Sequence, residues 1–63
     1  MIRLTTRNPL ESLESFLWVN PEFIVSLQWI EAYALTKVKL SDEVVYVTET
    51  PEQIAEKYDT NRI

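Results

Sequence analysis

The sequence predicts a small α+β domain, mostly β: a bent antiparallel sheet or an SH3-like or Sm-like barrel of about five strands, followed by one C-terminal helix. Three observations predict it. Apolar and polar residues alternate with a period of two over residues 1–6 and 36–40, breakers fall between short apolar runs, and a complete helix-start signature stands at Thr50. A chain of 63 residues makes a single domain, 1–63, and folding at this size removes only about 60% of the unfolded surface from water.

The first strand covers residues 1–6, with Ile2 and Leu4 on one side and Arg3 and Thr5 on the other. Asn8-Pro9 stops it, and residues 8–15 read as a loop with room for one helical turn, because Leu10 and Leu13 keep helical spacing amid Ser and Glu. Residues 15–19 form a second strand of aromatic and branched residues, ended by Asn20-Pro21. A third strand spans 24–33 and is apolar on both parities, Ile24, Ile30 and Ala32 against Val25, Leu27, Trp29 and Tyr33. Such a strand is central, bent, or covered by a neighbouring chain. Thr36, Val38 and Leu40 alternate with Lys37, Lys39 and Ser41, Ser41-Asp42-Glu43 turns, and 44–48 returns as the hairpin partner. Thr50 is the expected N-cap, Pro51 the first helical residue, Glu52 the acid of the first turn and Gln53 the return half of a capping box. Ile54 and Tyr58 then make the apolar stripe of the helix.

Composition excludes several function classes. There is no Cys and no His, so disulfides, thiolate sites and the commonest zinc and copper ligand are missing. There is no Gly, which rules out the phosphate-cradling loop, the dinucleotide fingerprint and the EF-hand. Hairpins lacking Gly are expected to use Asn or Asp for positive φ, or longer turns. A net charge of −4 repels phosphate backbones and anionic lipids, which weighs against nucleic acid as a partner. Residues 1–8 do not read as a secretory signal and no apolar run reaches membrane-spanning length, so the expected location is cytoplasmic, without membrane insertion. No cofactor is expected.

Without His or Cys, catalysis would rest on carboxylates, Lys, Tyr, Ser or Thr. Glu11 with Glu14 and Asp42 with Glu43 are the adjacent acids, and both pairs fall in segments that read as solvated turns, where nothing separates their acid and base roles. The serines have no His to activate them. The chain therefore reads as a non-enzymatic protein. Lys37 and Lys39, joined by Arg3 and Arg7, could form a basic strip beside Trp18 or Trp29, the arrangement of a single-strand nucleic-acid platform. The plainer account is that the lysines protect the sheet from aggregation while the tryptophans fill the core.

The functional expectation comes from the two-sided third strand. A domain this small covers only one face of it, so Val25, Leu27, Trp29 and Tyr33 are the candidate protein-interaction residues, and the expected partners are a second copy of the chain, as a homo-oligomer, and another protein. Closure into a barrel is the competing explanation for their apolar character.

The order of signals resembles the small flagellar-operon proteins of the FlbD family, also described as SwrD swarming-motility proteins. The residues that carry the resemblance are Met1-Ile2-Arg3-Leu4-Thr5, then Asn8, then the segment from Phe16 through Asn20-Pro21 to Ile24, and finally Val47-Thr48-Glu49-Thr50 with Glu52, Ile54 and Lys57. Members of that family carry Asn-Gly and Gly-Lys turns that this chain lacks, as a phage or mobile-element relative would. The resemblance implies a non-enzymatic helper of flagellar or swarming motility that binds the motor or its assembly proteins, and it carries over no catalytic or ligand residue. The alternative function is a small Sm-like or SH3-like nucleic-acid-binding regulator.

Overall fold

The structure, a computed structural model, describes residues 1–10 and 13–61, with side chains through Asp59. Strands β1 (Ile2–Arg7), β2 (Glu14–Val19), β3 (Ile24–Ile30), β4 (Leu35–Leu40) and β5 (Val44–Val47) precede helix α1 (Pro51–Asn61), and a 3-10 turn at Pro21–Phe23 joins β2 to β3. The strands form one antiparallel sheet in the order β2-β1-β5-β4-β3. The sheet is open: β2 and β3 are its two edges and do not pair, so the SH3-like or Sm-like barrel is not formed. Ile54 of α1 joins the core cluster instead, and a helix rather than ring closure seals the inner face.

Each strand follows its side-chain pattern. Ile2 and Leu4 are buried, and the β1–β2 ladder runs without a register shift from Ile2 opposite Val19 to Arg7 opposite Glu14. Asn8 then makes an Asx turn, its Oδ1 accepting from the Leu10 N–H at 2.9 Å. Glu11 and Ser12, within the loop expected over 8–15, lie outside the described residues. Asn20 caps the 3-10 turn through a bond from the Glu22 N–H at 3.0 Å, and the Phe23 N–H donates to the Asn20 carbonyl at 2.9 Å.

Strand β3 departs most from expectation. It is an edge rather than a central strand, it stops at Ile30 rather than at 33, and its register shifts between Ile24 and Ser26. That bulge explains why apolar residues occupy both parities. Ile24 faces Leu40 before it, Leu27 faces Val38 after it, and both pack against the core although an odd number of positions separates them. Tyr33 belongs to the turn that follows, where its N–H donates to the Ile30 carbonyl at 3.3 Å. Ala34 closes that turn at φ 53, so an alanine, not an Asn or Asp, takes the left-handed conformation. Its Cβ makes this cost about 1–2 kcal/mol.

The capping box at α1 is complete: the Gln53 N–H donates to Thr50 Oγ1 at 3.1 Å and the Thr50 N–H donates to Gln53 Oε1 at 2.9 Å. The core that α1 covers is aliphatic, built from Ile2, Leu4, Val19, Val38, Leu40, Val47 and Ile54. No aromatic residue is among the buried ones described, so the tryptophans do not fill it.

The two halves of the sheet meet along a short seam, which Glu49 extends. The only register pair between β1 and β5 is Thr6 with Val47, beyond which the Thr48 N–H donates to the Thr5 carbonyl at 2.9 Å and the chain turns off into α1. The Thr5 N–H left behind donates to the Glu49 carboxylate, 2.9 and 3.1 Å from its two oxygens. The Glu49 carbonyl accepts from Oγ1 of Thr36, the one buried polar residue described. Glu49 thus continues the ladder with a side chain where the strand has ended, and the backbone donor it satisfies would otherwise be costly to leave unpaired.

Candidate protein-interaction surface

The four residues expected to contact a partner are not equivalent. Val25 is 62% exposed in the bulge, Trp29 is 42% exposed near the far end of β3, and Tyr33 is 51% exposed in the turn beyond it. Leu27 packs against the core and lines a 380 Å³ groove between β3 and α1 with Ile24, Ile54, Ala55 and Tyr58. Leu27 therefore supports the strand from within, and the exposed members string along the edge: Val25 and Trp29 lie about 13 Å apart at the rise of an extended strand. Parity alone could not separate Leu27 from Val25, because Val25 is itself the bulged residue.

A second exposed set stands on β2, where Phe16 is 64% and Trp18 61% exposed. Both sit on the outer face of the sheet, opposite Thr5 and Arg3 of β1, and the Arg3 guanidinium lies 4.7 Å from the Phe16 ring centroid. A cation over a ring face is attracted by its quadrupole. Leu17, between the two aromatics, points inward and packs against the core. Alternation within 15–19 carries a signal for this arrangement, since Leu17 and Val19 share one parity and Phe16 and Trp18 the other.

The charges separate by face. Arg3 and Arg7 of β1 project with Lys37 and Lys39 of β4 from the outer face, four of the six Lys and Arg residues of the chain. Lys37 is opposite Tyr46, and Arg7 follows directly on the Thr6–Val47 pair, so Tyr46 lies between two cations in one row across the sheet. Glu14 is the acid on that row, opposite Arg7. The acids Glu52, Glu56 and Asp59 project from α1.

Of the sequence-predicted acid pairs, Asp42 and Glu43 are exposed in the β4–β5 turn, and Glu14 is exposed on β2 while Glu11 lies outside the described residues. Among the described residues, no group of three His, Cys, Asp or Glu side chains could hold a metal ion, and no helix is long and apolar enough to cross a membrane. The geometry thus concentrates its distinctive features on the two sheet edges and the outer face between them. No family model, curated protein or solved structure matches the chain.

Proposed function

We propose that this chain is a non-enzymatic protein-interaction module that works as a homo-oligomer and docks a second protein through the β3 edge. One observation carries the reading: the core is aliphatic while Phe16, Trp18, Phe23, Trp29 and Tyr33 all stand exposed at its surface. Large aromatic side chains bring much apolar area to an interface at little entropic cost, and they are enriched where binding energy concentrates. The sequence resemblance to the FlbD proteins supports a motility-associated task, or a phage-encoded accessory one, in the cytoplasm.

Affinity capture from a lysate of the source cell, with the wild-type chain and Trp29→Ala, tests the docking role. Trp29 is partly exposed on an edge strand, so the variant is expected to keep its fold by circular dichroism and to lose the captured protein. Retention of that protein by Trp29→Ala, or capture of none by the wild type, would remove β3 from the reading.

The alternative, a nucleic-acid-binding regulator, has its own support in the outer face, where Arg3, Arg7, Lys37 and Lys39 accompany Phe16, Trp18 and Tyr46. Cations beside exposed rings are what single-stranded nucleic acid requires. The net charge of −4 opposes it at long range. Titration with single-stranded RNA and DNA at low salt separates the readings: micromolar affinity that falls steeply with added salt favours the regulator.

A further inference from the structure

We propose that the β2 edge pairs antiparallel with the β2 edge of a second copy, about a two-fold axis passing through Leu17. This rests on the self-association proposed above and assigns it a surface distinct from the β3 docking edge.

The hydrogen-bonding directions come first. In an antiparallel sheet the N–H and C=O of one residue point the same way, and successive residues alternate. The Thr5 carbonyl accepts from the Thr48 N–H and the Thr5 N–H reaches Glu49, so Thr5 points toward β5 and away from β2. Its partner in register, Phe16, therefore points away from β1, as does Trp18 two positions on. The Ser15 carbonyl, which accepts from Thr6 Oγ1 at 3.2 Å, points toward β1, as the alternation requires. The β2 edge thus offers outward N–H and C=O groups at Phe16 and Trp18 on a strand whose six register pairs contain no bulge.

Edges of that kind are normally blunted by Lys, Pro, a bulge or a covering element. Strand β2 reads Glu-Ser-Phe-Leu-Trp-Val and has none of the first three. Its one charge, Glu14, lies at the end remote from the aromatics.

The strand is also complementary to itself. Isologous pairing centred on Leu17 sets Phe16 of each copy opposite Trp18 of the other, and all four positions carry the outward-pointing groups that such a pair must exchange. Leu17 then meets its own counterpart at the axis in a non-hydrogen-bonded position, where side chains approach most closely. The outer face gains two aromatic cross-strand pairs, the inner face a Leu–Leu contact, and the two Glu14 carboxylates lie at opposite ends of the seam. Any extended segment could share the backbone bonds of an edge; what favours a second copy is the aromatic–Leu–aromatic order of Phe16, Leu17 and Trp18, which is symmetric about Leu17 and sets ring opposite ring while keeping the two Glu14 charges apart.

The chain has no Cys, so a single introduced thiol reports unambiguously. Sedimentation of the wild type at high micromolar concentration is expected to give twice the monomer mass. Phe16→Pro deletes an outward N–H without touching the β1 ladder and is expected to sediment as monomer with its circular dichroism preserved; Trp18→Lys, which places like charges near the axis, provides the same test should the proline disturb the fold. Leu17→Cys is expected to form a disulfide-linked dimer under mild oxidation, while Val44→Cys, exposed on β5, is not. A wild-type chain that is monomeric throughout overturns both this proposal and the self-association on which it rests. A dimer that survives Phe16→Pro and Trp18→Lys, or one dissolved by Trp29→Ala while Leu17→Cys fails to cross-link, leaves self-association standing and overturns the β2 seam. Cross-linking through Phe16→Cys in place of Leu17→Cys overturns the axis.

Discussion

The two edges of the sheet handle the same problem differently. Strand β3 is interrupted by a bulge at Val25, carries its apolar weight inward through Ile24 and Leu27, and lies in contact with α1. Strand β2 is straight in register, pairs by backbone with β1 alone, and sets Phe16 and Trp18 outward. A bulge twists an edge away from further pairing, whereas a regular ladder leaves the next strand's position ready. Under the proposed function the edges would divide the tasks, β3 offering side chains to a partner and β2 offering backbone as well.

The largest test of that contrast is Leu4→Ala. Leu4 is fully buried opposite Leu17 and seats β2 against the core. Its truncation should cost about 2–5 kcal/mol, enough to unfold a domain of this size in a urea titration. Glu49→Ala should cost roughly 1–3 kcal/mol by stranding the Thr5 N–H. Hydrogen exchange should show the Thr5 amide losing protection before the amides of β3 do, since the β1–β2 arm joins the rest through so short a ladder. Ala34→Gly acts at the other edge and in the other direction: relief of the left-handed Cβ should stabilise the β3–β4 hairpin by about 0.5–1 kcal/mol, read as a higher urea midpoint. Smallest is Val25→Lys, exposed in the bulge, which should alter stability by no more than about 0.5 kcal/mol. A larger loss there would mean that the bulge is packed rather than free.

What the sequence disclosed follows the range of the interactions involved. Thr50, Pro51 and Gln53 declared the helix start because a capping box is completed within four consecutive residues, and the β4–β5 hairpin was visible because its turn is equally local. Strand order was not visible, since nothing in the period of β3 says whether another strand lies beside it. The bulge hid the division between Val25 and Leu27 by moving the inward parity partway along the strand. Glu49 shows both sides of this limit. It stood out within Val47-Thr48-Glu49-Thr50, yet the amide it binds lies 44 positions away. That short element now has a structural account in which Val47 fills the core, Glu49 extends the ladder and Thr50 caps the helix.

The placement of the tryptophans has a practical consequence. Trp18 and Trp29 are the only two in the chain, one on each edge strand and neither in the interior. Indole emission should therefore shift little when the domain denatures and should move to the blue when an edge becomes occupied. A fluorescence trace of this protein would monitor company rather than folding, and single-tryptophan variants would tell which side the company keeps.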